Sequence, residues 1–566
     1  MSVNQILQGV EHQLPDLVKF FAWARTKVPS WQKMIVAVSI LLAMYIASLL
    51  VQASDTRGND DAAIAWRYSL NLANGHGLVY NPGEYVEGFS SFGYVVALAV
   101  GYSLFREIGP LFGHQVVIGD MYWISLFYNL IAWAALIILV YRFAREEVGD
   151  RLAPFVALMV GLSPAIAFWA ISGMETVPAM LSQVLIWVWV VRLEKRVGTE
   201  KEKGALTALF LSMAFCLLMR AEGFLWPFLA LGYLFVFKRL YKQTLAVGLM
   251  FAVFMAAFIS WRLWYYGYPL PNTYYAKVTG TFIERLNSAW SSFDQSITPT
   301  GLFLSLIILS VAFLEQLRIV ILKGLKPVNF GVIMGITLIL YWFYVGGDIY
   351  FERFLLLLIP VSSLVAAKML RRRSGTNLGL LALAVSLVVT VMPLYKWYIP
   401  SERAYSGDGY ARVGQLLGKK YPGAVMAIDA AGKVPYFSGL TTIDMFGLND
   451  EHIAHYGKRG EEFKLAHDKM DTDYVFGRRP NLVVSWLCLR GGNSLKTVND
   501  TLTVKEMSDR GYKPVMLFNA VQTKITGLEP GVGESEIINL ILTENYQIGV
   551  FYNPDPNKGE VKVASK

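Results

Sequence analysis

A series of long apolar stretches constrains this chain more than any other feature of its sequence. About eleven of them reach the length at which a helix crosses a lipid bilayer. The chain is 55% hydrophobic and only 16% charged, which excludes an ordinary soluble protein over most of its length. The pattern predicts a polytopic α-helical membrane protein. The predicted spans are 34–52, 119–141, 152–171, 175–191, 205–219, 223–237, 244–263, 301–317, 328–345, 354–368 and 377–395.

The positions of Lys and Arg decide how a further, ambiguous apolar stretch at 89–105 is placed. If this stretch does not cross the membrane, the cation-rich loops all fall on one side, which is the cytoplasmic side. Residues 53–118 then form one extracytoplasmic loop, with two helices along the membrane over about 60–74 and 89–105. The cation-rich loops are 142–151, 192–203, 238–242, 318–326 and 368–373.

The two ends of the chain are more polar than its middle. Residues 1–33 are predicted to form a cytoplasmic amphipathic segment, with a free soluble arm as the alternative, and 34–396 form the membrane domain. Residues 397–566 form an extracytoplasmic C-terminal domain. In it, AVMAID and NLVVSWLCL resemble buried strands, which predicts an α/β or α+β domain.

Several kinds of site are not indicated. No nucleotide-binding or metal-binding motif is recognisable, and Cys216 and Cys488 lie too far apart in sequence to suggest a disulfide framework. The net charge of +9 follows from the cytoplasmic loops. It therefore does not indicate a nucleic-acid partner.

Ionisable and aromatic residues collect at the predicted outer ends of the helices. Arg and Lys can hold a phosphate and stabilise its charge as it leaves. A carboxylate can take a proton from an acceptor hydroxyl or attack a sugar carbon. Together they predict group transfer from a lipid phosphate at the membrane boundary. The residues are Asp60, Asp61, Glu87, Glu175, Arg220, Glu222, Arg262, Asn272, Tyr274, Tyr275, Lys277, Asp348 and Arg353.

Structural explanations exist for each of these residues. Tyr and Trp at helix ends form the usual aromatic belt, and Arg262 can extend to lipid headgroups. Arg220 and Glu222 can pair. One residue of the acidic pair, Asp60 and Asp61, can cap the following helix while the other favours its first turn. Two adjacent caps are unnecessary, which leaves one carboxylate for chemistry.

Six blocks of the sequence resemble the GT-C glycosyltransferases, integral-membrane enzymes that use polyprenyl-phosphate sugars. Within this superfamily they are most similar to the arabinofuranosyltransferase branch, which includes mycobacterial terminal and pilin arabinosyltransferases. RAEG departs from the commoner form of its block, which has Pro in place of Ala221. The blocks are DDAAIAWRYSLNLANGHGLVYNPGEYVEGFSSF, SGMET, RAEG, WRLWYYGYPLPNTYYAK, VGGDIYFERF and IDAAGKVPYFSG with DMFGLND.

The resemblance implies a role for each candidate residue. Asp60 or Asp61 is the catalytic carboxylate, and Asp60 is favoured because it comes first in the acidic dipeptide. Lys277, Arg353 and Arg220, in that order, are expected to bind the donor phosphate. The residues expected to shape the sugar or acceptor site are Glu87, Asn272, Asp348, Tyr274, Tyr275 and Glu175.

The expected activity is transfer of a sugar from a decaprenyl- or undecaprenyl-phosphate donor. The resemblance implies D-arabinofuranose as the sugar, a pilin or a cell-envelope glycan as acceptor, and the periplasmic face of a bacterial inner membrane as location. No cofactor is expected, and a divalent ion at the acidic residues stays open. Another mannosyl- or pentosyl-transferase of the superfamily is an alternative.

Two non-enzymatic alternatives remain. A transporter or flippase of lipid-linked sugars requires ionisable residues at mid-span, whereas here they lie at the span ends. A membrane-anchored scaffold does not explain the acidic first loop.

Overall fold

The computed structural model describes most of the chain. The predicted span 377–395 and residues 1–29 lie outside the described residues. The described ranges are 30–53, 58–297, 302–324, 328–350, 352–373, 408–460, 463–490, 494–498, 501–519 and 524–556.

Helices make up the first part of the chain, up to residue 373. Short 3₁₀ turns lie at Gly109–Phe112, Ala221–Phe224 and Arg353–Leu357, and a π-helical turn lies at Tyr233–Phe237. In chain order the helices are α1 (Ser30–Ala53), α2 (Asp60–Ala73), α3 (Phe92–Ile108), α4 (Asp120–Val148), α5 (Ala153–Gly161), α6 (Pro164–Ala170), α7 (Thr176–Arg196), α8 (Glu202–Met219), α9 (Leu225–Gly232), α10 (Tyr241–Tyr266), α11 (Asn272–Lys277), α12 (Phe282–Ile297), α13 (Leu302–Lys323), α14 (Phe330–Val345) and α15 (Leu358–Arg373).

Apolar helices match the predicted spans within the described ranges. Among the described residues eight helices are long and apolar enough to cross a membrane, and α5 with α6 would form a ninth, bent span if the pair crosses as one. The predicted spans 223–237 and 328–345 correspond to shorter apolar helices. The span predicted over 152–171 is broken by 51°. Pro164 has no N–H to continue α5, and the Ser163 hydroxyl caps α6 by accepting from the Ile166 N–H at 3.4 Å.

Four of the five cation-rich loops meet at one end of the helix bundle. Glu147 near the end of α4 pairs with Lys195 of α7 and with Lys368 of α15. Glu194 pairs with Lys238 at 3.0 Å. The charge distribution predicts this convergence, and we call this end the cationic end.

Helix α3 stays at the other end of the bundle. The Tyr94 hydroxyl near its start donates to the Gly173 carbonyl at 3.0 Å, and Arg106 near its end donates to Asn74 after α2 at 3.2 Å. One face exposes Val100, Leu104 and Ile108 at a spacing of four, a stripe suited to lipid. With the following turn α3 is also long and apolar enough to span. Its contacts favour the predicted course along the membrane.

The C-terminal part is an α/β domain built on a six-stranded mixed sheet of order β10-β9-β11-β5-β1-β2. Two smaller sheets pair β3 with β4, and β6 and β8 with β7. The elements are α16 (Asp408–Lys420), β1 (Val425–Ile428), α17 (Lys433–Ser438), β2 (Thr441–Asp444), α18 (Glu451–Tyr456), β3 (Lys458–Arg459), β4 (Lys469–Met470), α19 (Thr472–Gly477), β5 (Leu482–Trp486), β6 (Cys488–Arg490), β7 (Ser494–Thr497), β8 (Leu502–Thr503), α20 (Val504–Asp509), β9 (Lys513–Phe518), β10 (Ile525–Gly527), α21 (Glu534–Glu544) and β11 (Ile548–Tyr552).

Both faces of the central sheet are buried, as the apolar strands predict. Strand β1 pairs in parallel with both β2 and β5. Successive residues of β1 point to opposite faces, so Ala427 packs in one core and Met426 and Ile428 in the other. This confirms the predicted α/β domain.

A buried arginine docks this domain on the loop 58–118. The Arg67 guanidinium of α2 is 6% exposed. It donates to the carbonyls of Pro435 at 2.6 Å and Leu440 at 2.8 Å, and to the Tyr80 carbonyl at 2.8 Å. Asn81 of the same loop donates to the Thr442 carbonyl at 2.8 Å. The domain therefore lies at the end of the bundle opposite the cationic end.

Cysteine labelling tests this two-ended arrangement. We expect a membrane-impermeant maleimide to label Lys505→Cys, in the C-terminal domain, on intact spheroplasts. It should label Thr199→Cys, at the cationic end, only after permeabilisation. Both positions are exposed, and a Cys488→Ser background removes the partly accessible thiol. Labelling of both positions on the same side would contradict the arrangement.

Candidate active site

Asn59 prepares the start of helix α2. Its side-chain oxygen accepts from the Asp61 N–H at 3.1 Å and from the Tyr350 hydroxyl at 3.0 Å, and its own N–H donates to the Ser172 carbonyl at 2.8 Å. Asn59 is thus the N-cap. The alternative in which Asp60 or Asp61 caps this helix is wrong. Both carboxylates occupy the first turn, where negative charge suits the helix dipole.

Asp60 faces the C-terminal domain. Its side chain is half-buried, and its Oδ1 accepts from the Lys433 backbone N–H at 2.8 Å. Burial raises the pKa of Asp60, and the charge of Asp61 raises it further. The backbone hydrogen bond and the charge of Lys433 oppose this rise. The carboxylate is thereby set to exchange a proton at a higher pH than an ordinary aspartate.

Asp61 faces a second group of residues. It lies near His467, a half-buried side chain of the C-terminal domain, whose other charged neighbours include Lys277 and Lys464. Burial lowers the pKa of His467, Lys277 lowers it further, and Asp61 opposes both. Within the part of the chain that the structure describes, Lys277 forms no ion pair. His467 is therefore within electrostatic range of both Asp61 and Lys277, and no carboxylate in the described residues pairs with the Lys277 ammonium group.

Arg220 and Arg353, also predicted to bind phosphate, lie in the helix bundle and are already paired. Arg220 pairs with Glu175 at 2.7 Å and with Glu222. Arg353 donates to both carboxylate oxygens of Asp348, at 2.9 and 3.1 Å. Both arginines line one cavity together with Tyr341 and Trp226. A phosphate would have to displace these carboxylates. Glu175 and Asp348 pair with arginines, and their role in a sugar site stays a prediction.

Glu87 and Asn272 build the interface between the domains. Glu87 is 2% exposed and accepts from Arg262 at 2.8 and 3.2 Å. Asn272 donates to three carbonyls in the loop 447–450 of the C-terminal domain, at 2.8, 3.1 and 3.1 Å. Their observed contacts are structural.

The two candidate tyrosines of α11 differ in environment. Tyr275 packs on the His455 ring, with a centroid distance of 4.2 Å, whereas Tyr274 is 45% exposed. Tyr274 therefore retains a free face for a sugar or a lipid.

Three neighbours of the acidic pair escaped the sequence analysis, namely Tyr350, Lys433 and His467. The hydrogen bond between Asp60 and Lys433 joins positions 373 apart in sequence, so no local pattern connects them. The blocks IDAAGKVPYFSG, which contains Lys433, and VGGDIYFERF, which contains Tyr350, were the available signals. Within the described ranges, no three His, Cys, Asp or Glu side chains are placed to hold a metal ion.

Residues 399–529 match a family described as Domain of unknown function (DUF8728). No curated protein matches the chain in sequence.

Solved structures give a likeness over most of the chain. ArnT from Cupriavidus metallidurans in the apo state aligns with a TM-score of 0.54 at 13% identity, over 80% of this chain and 92% of that one. The same protein bound to undecaprenyl phosphate aligns with a TM-score of 0.50 at 12% identity, over 81% and 93%. The oligosaccharyltransferase AglB from Archaeoglobus fulgidus, in complex with an inhibitory peptide and a dolichol-phosphate, aligns with a TM-score of 0.51 at 12% identity, over 89% and 75%. The likeness confirms a polytopic helical membrane fold, and the GT-C superfamily and its arabinofuranosyltransferase branch stay predictions.

Proposed function

We propose that the protein is a membrane glycosyltransferase that moves a sugar from a polyprenyl-phosphate donor to an acceptor hydroxyl, with Asp60 as catalytic base. The observation that carries this proposal is the half-buried Asp60 carboxylate, whose pKa is raised by burial. Its neighbour Asp61 and the cation Lys277 both act on the same residue, His467. A base works best when its pKa approaches the working pH. A cation nearby can hold the departing phosphate.

During transfer one bond to the anomeric carbon forms and another breaks. The acceptor oxygen bonds to the anomeric carbon while its proton passes to Asp60. The bond from that carbon to the phosphate oxygen breaks, and polyprenyl phosphate leaves as an anion stabilised by Lys277. Arg220 and Arg353 can bind the donor phosphate only by giving up their carboxylate partners. We therefore rank them after Lys277 as ligands of that phosphate.

The donor class is supported by two of the structurally similar proteins, which bind undecaprenyl phosphate and dolichol-phosphate. We infer D-arabinofuranose as the sugar from the sequence blocks that resemble the arabinofuranosyltransferases. A pilin or an envelope glycan is the proposed acceptor, on the periplasmic face of a bacterial inner membrane.

Replacement of Asp60 tests the base. Asp60→Asn should lower transfer by about 10²–10⁴-fold because the proton acceptor is lost. The measurement is mass spectrometry of the native acceptor, first found by comparing cells with and without the gene. Asp120→Asn, which changes a first-turn aspartate of α4 outside the site, is the matched control and should retain activity. Full activity in Asp60→Asn would remove the proposed mechanism, and loss only in Asp61→Asn would transfer the role to its neighbour.

Replacement of Lys277 tests donor binding. Lys277→Ala should weaken binding of polyprenyl phosphate by about 10–100-fold, since a charge-assisted hydrogen bond contributes about 1.5–3 kcal/mol. Titration of purified protein with undecaprenyl phosphate measures this directly. Lys277→Arg should retain most of the affinity, and Lys458→Ala, at an exposed lysine of β3, should leave it unchanged. Equal affinity of Lys277→Ala and the unmodified protein would show that the phosphate binds elsewhere.

A further inference from the structure

We infer that the C-terminal domain completes the active site, and that its Lys433 is a positioning residue for Asp60. The inference rests on the proposed function and assigns part of the catalytic centre to a domain in which the sequence indicated no candidate residue. Three independent features of the structure support it.

The first feature is the topology of the sheet. From β1 the chain passes through α17 to β2 on one side, and later returns to β5 on the other side of β1. In open parallel sheets, ligands bind outside the carboxyl ends of the strands where the strand order reverses in this way. The loop 429–432 follows β1 at this point, and it leads directly to the residue that contacts Asp60.

The second feature is the closeness of the two backbones. A β-carbon at Gly432 would overlap the backbone carbonyl oxygen of Asp60 and come within 2.5 Å of its Oδ2. Only glycine permits this approach. The Lys433 N–H then lies within hydrogen-bonding distance of Oδ1 and fixes the orientation of the carboxylate.

The third feature is the burial of a cation beside a carboxylate. The Lys433 side chain is 1% exposed, and removing an ammonium group from water is costly without nearby negative charge. Its charge favours the ionised form of Asp60. The ionisable groups that act on or respond to Asp60 are Asp61 of α2, Tyr80 of the first loop, Tyr350 after α14, and Tyr410 and Lys433 of the C-terminal domain. Lys433 is the cation in this set.

The pH profile of transfer tests the inference. Asp60 acts as a base only when ionised, so activity should fall as the pH drops through its pKa. In Lys433→Met the lost positive charge raises that pKa further. The acid limb of kcat/KM should therefore move to higher pH, with activity on that limb about tenfold lower for each unit of displacement. Lys433→Arg should restore the original limb. Lys419→Met, at an exposed lysine of α16, should not move it.

The outcomes separate this inference from the proposed function. An unmoved acid limb in a folded Lys433→Met protein, while Asp60→Asn is inactive, overturns the role of Lys433 and leaves the glycosyltransferase proposal intact. An active Asp60→Asn protein overturns both. If Lys433→Met unfolds in a thermal melt, Lys433→Gln removes the charge with a polar side chain and is judged by the same displacement.

Discussion

The rest of this structure depends on the hydrogen bonds that the buried Arg67 guanidinium donates to backbone carbonyls. A cation removed from water is tolerated only when its donors are satisfied. Arg67 meets this condition by binding carbonyls on both sides of the domain boundary. Two of these carbonyls belong to the C-terminal domain, at Pro435 and Leu440. Helix α2 and that domain are therefore fixed to each other, and the relative position of Asp60 and Lys433 follows from this docking.

Four cations at the end of the bundle opposite the cationic end differ in whether a carboxylate pairs with them. Arg220, Arg353 and Arg262 are buried and each is held by a carboxylate, which offsets the cost of placing them beside hydrocarbon. Lys277 lies at the end of the short helix α11 and forms no ion pair within the described part of the chain. The difference matters for an anionic substrate. An anion that binds a paired arginine must break the existing ion pair, whereas an anion that binds Lys277 breaks none.

The sequence predicted the features that depend on local composition. Apolar length located the spans, and the distribution of Lys and Arg grouped the loops that Glu147 joins. The alternative with an acidic cap failed because Asn59 and Asp60 are equally good caps by residue type, so only geometry separates them. The break before Pro164 was readable from Ser163 and Pro164 but was overlooked.

The partners of the acidic pair had no local sequence signal. Lys433 and His467 belong to a domain that begins hundreds of residues after Asp60, and their approach depends on how that domain docks. Glu87 and Asn272 show a different limit, because residue type alone does not reveal which groups a buried polar side chain contacts. Their polar character at a membrane boundary suggested a sugar site, yet their hydrogen bonds tie the first loop to Arg262 and to the domain loop 447–450.

The contact between Asp60 and Lys433 also has a consequence for biosynthesis. The two residues are 373 positions apart, so at 5–20 residues per second the ribosome needs roughly 20–75 s to make the second after the first. During this interval the first loop lies exposed without the backbone that orients its carboxylate. The strands β5 and β11, which support the β1 loop, are made later still. Under the proposed function, a nascent or truncated chain therefore has no assembled catalytic centre, and sugar transfer requires that the C-terminal domain has folded against the first loop.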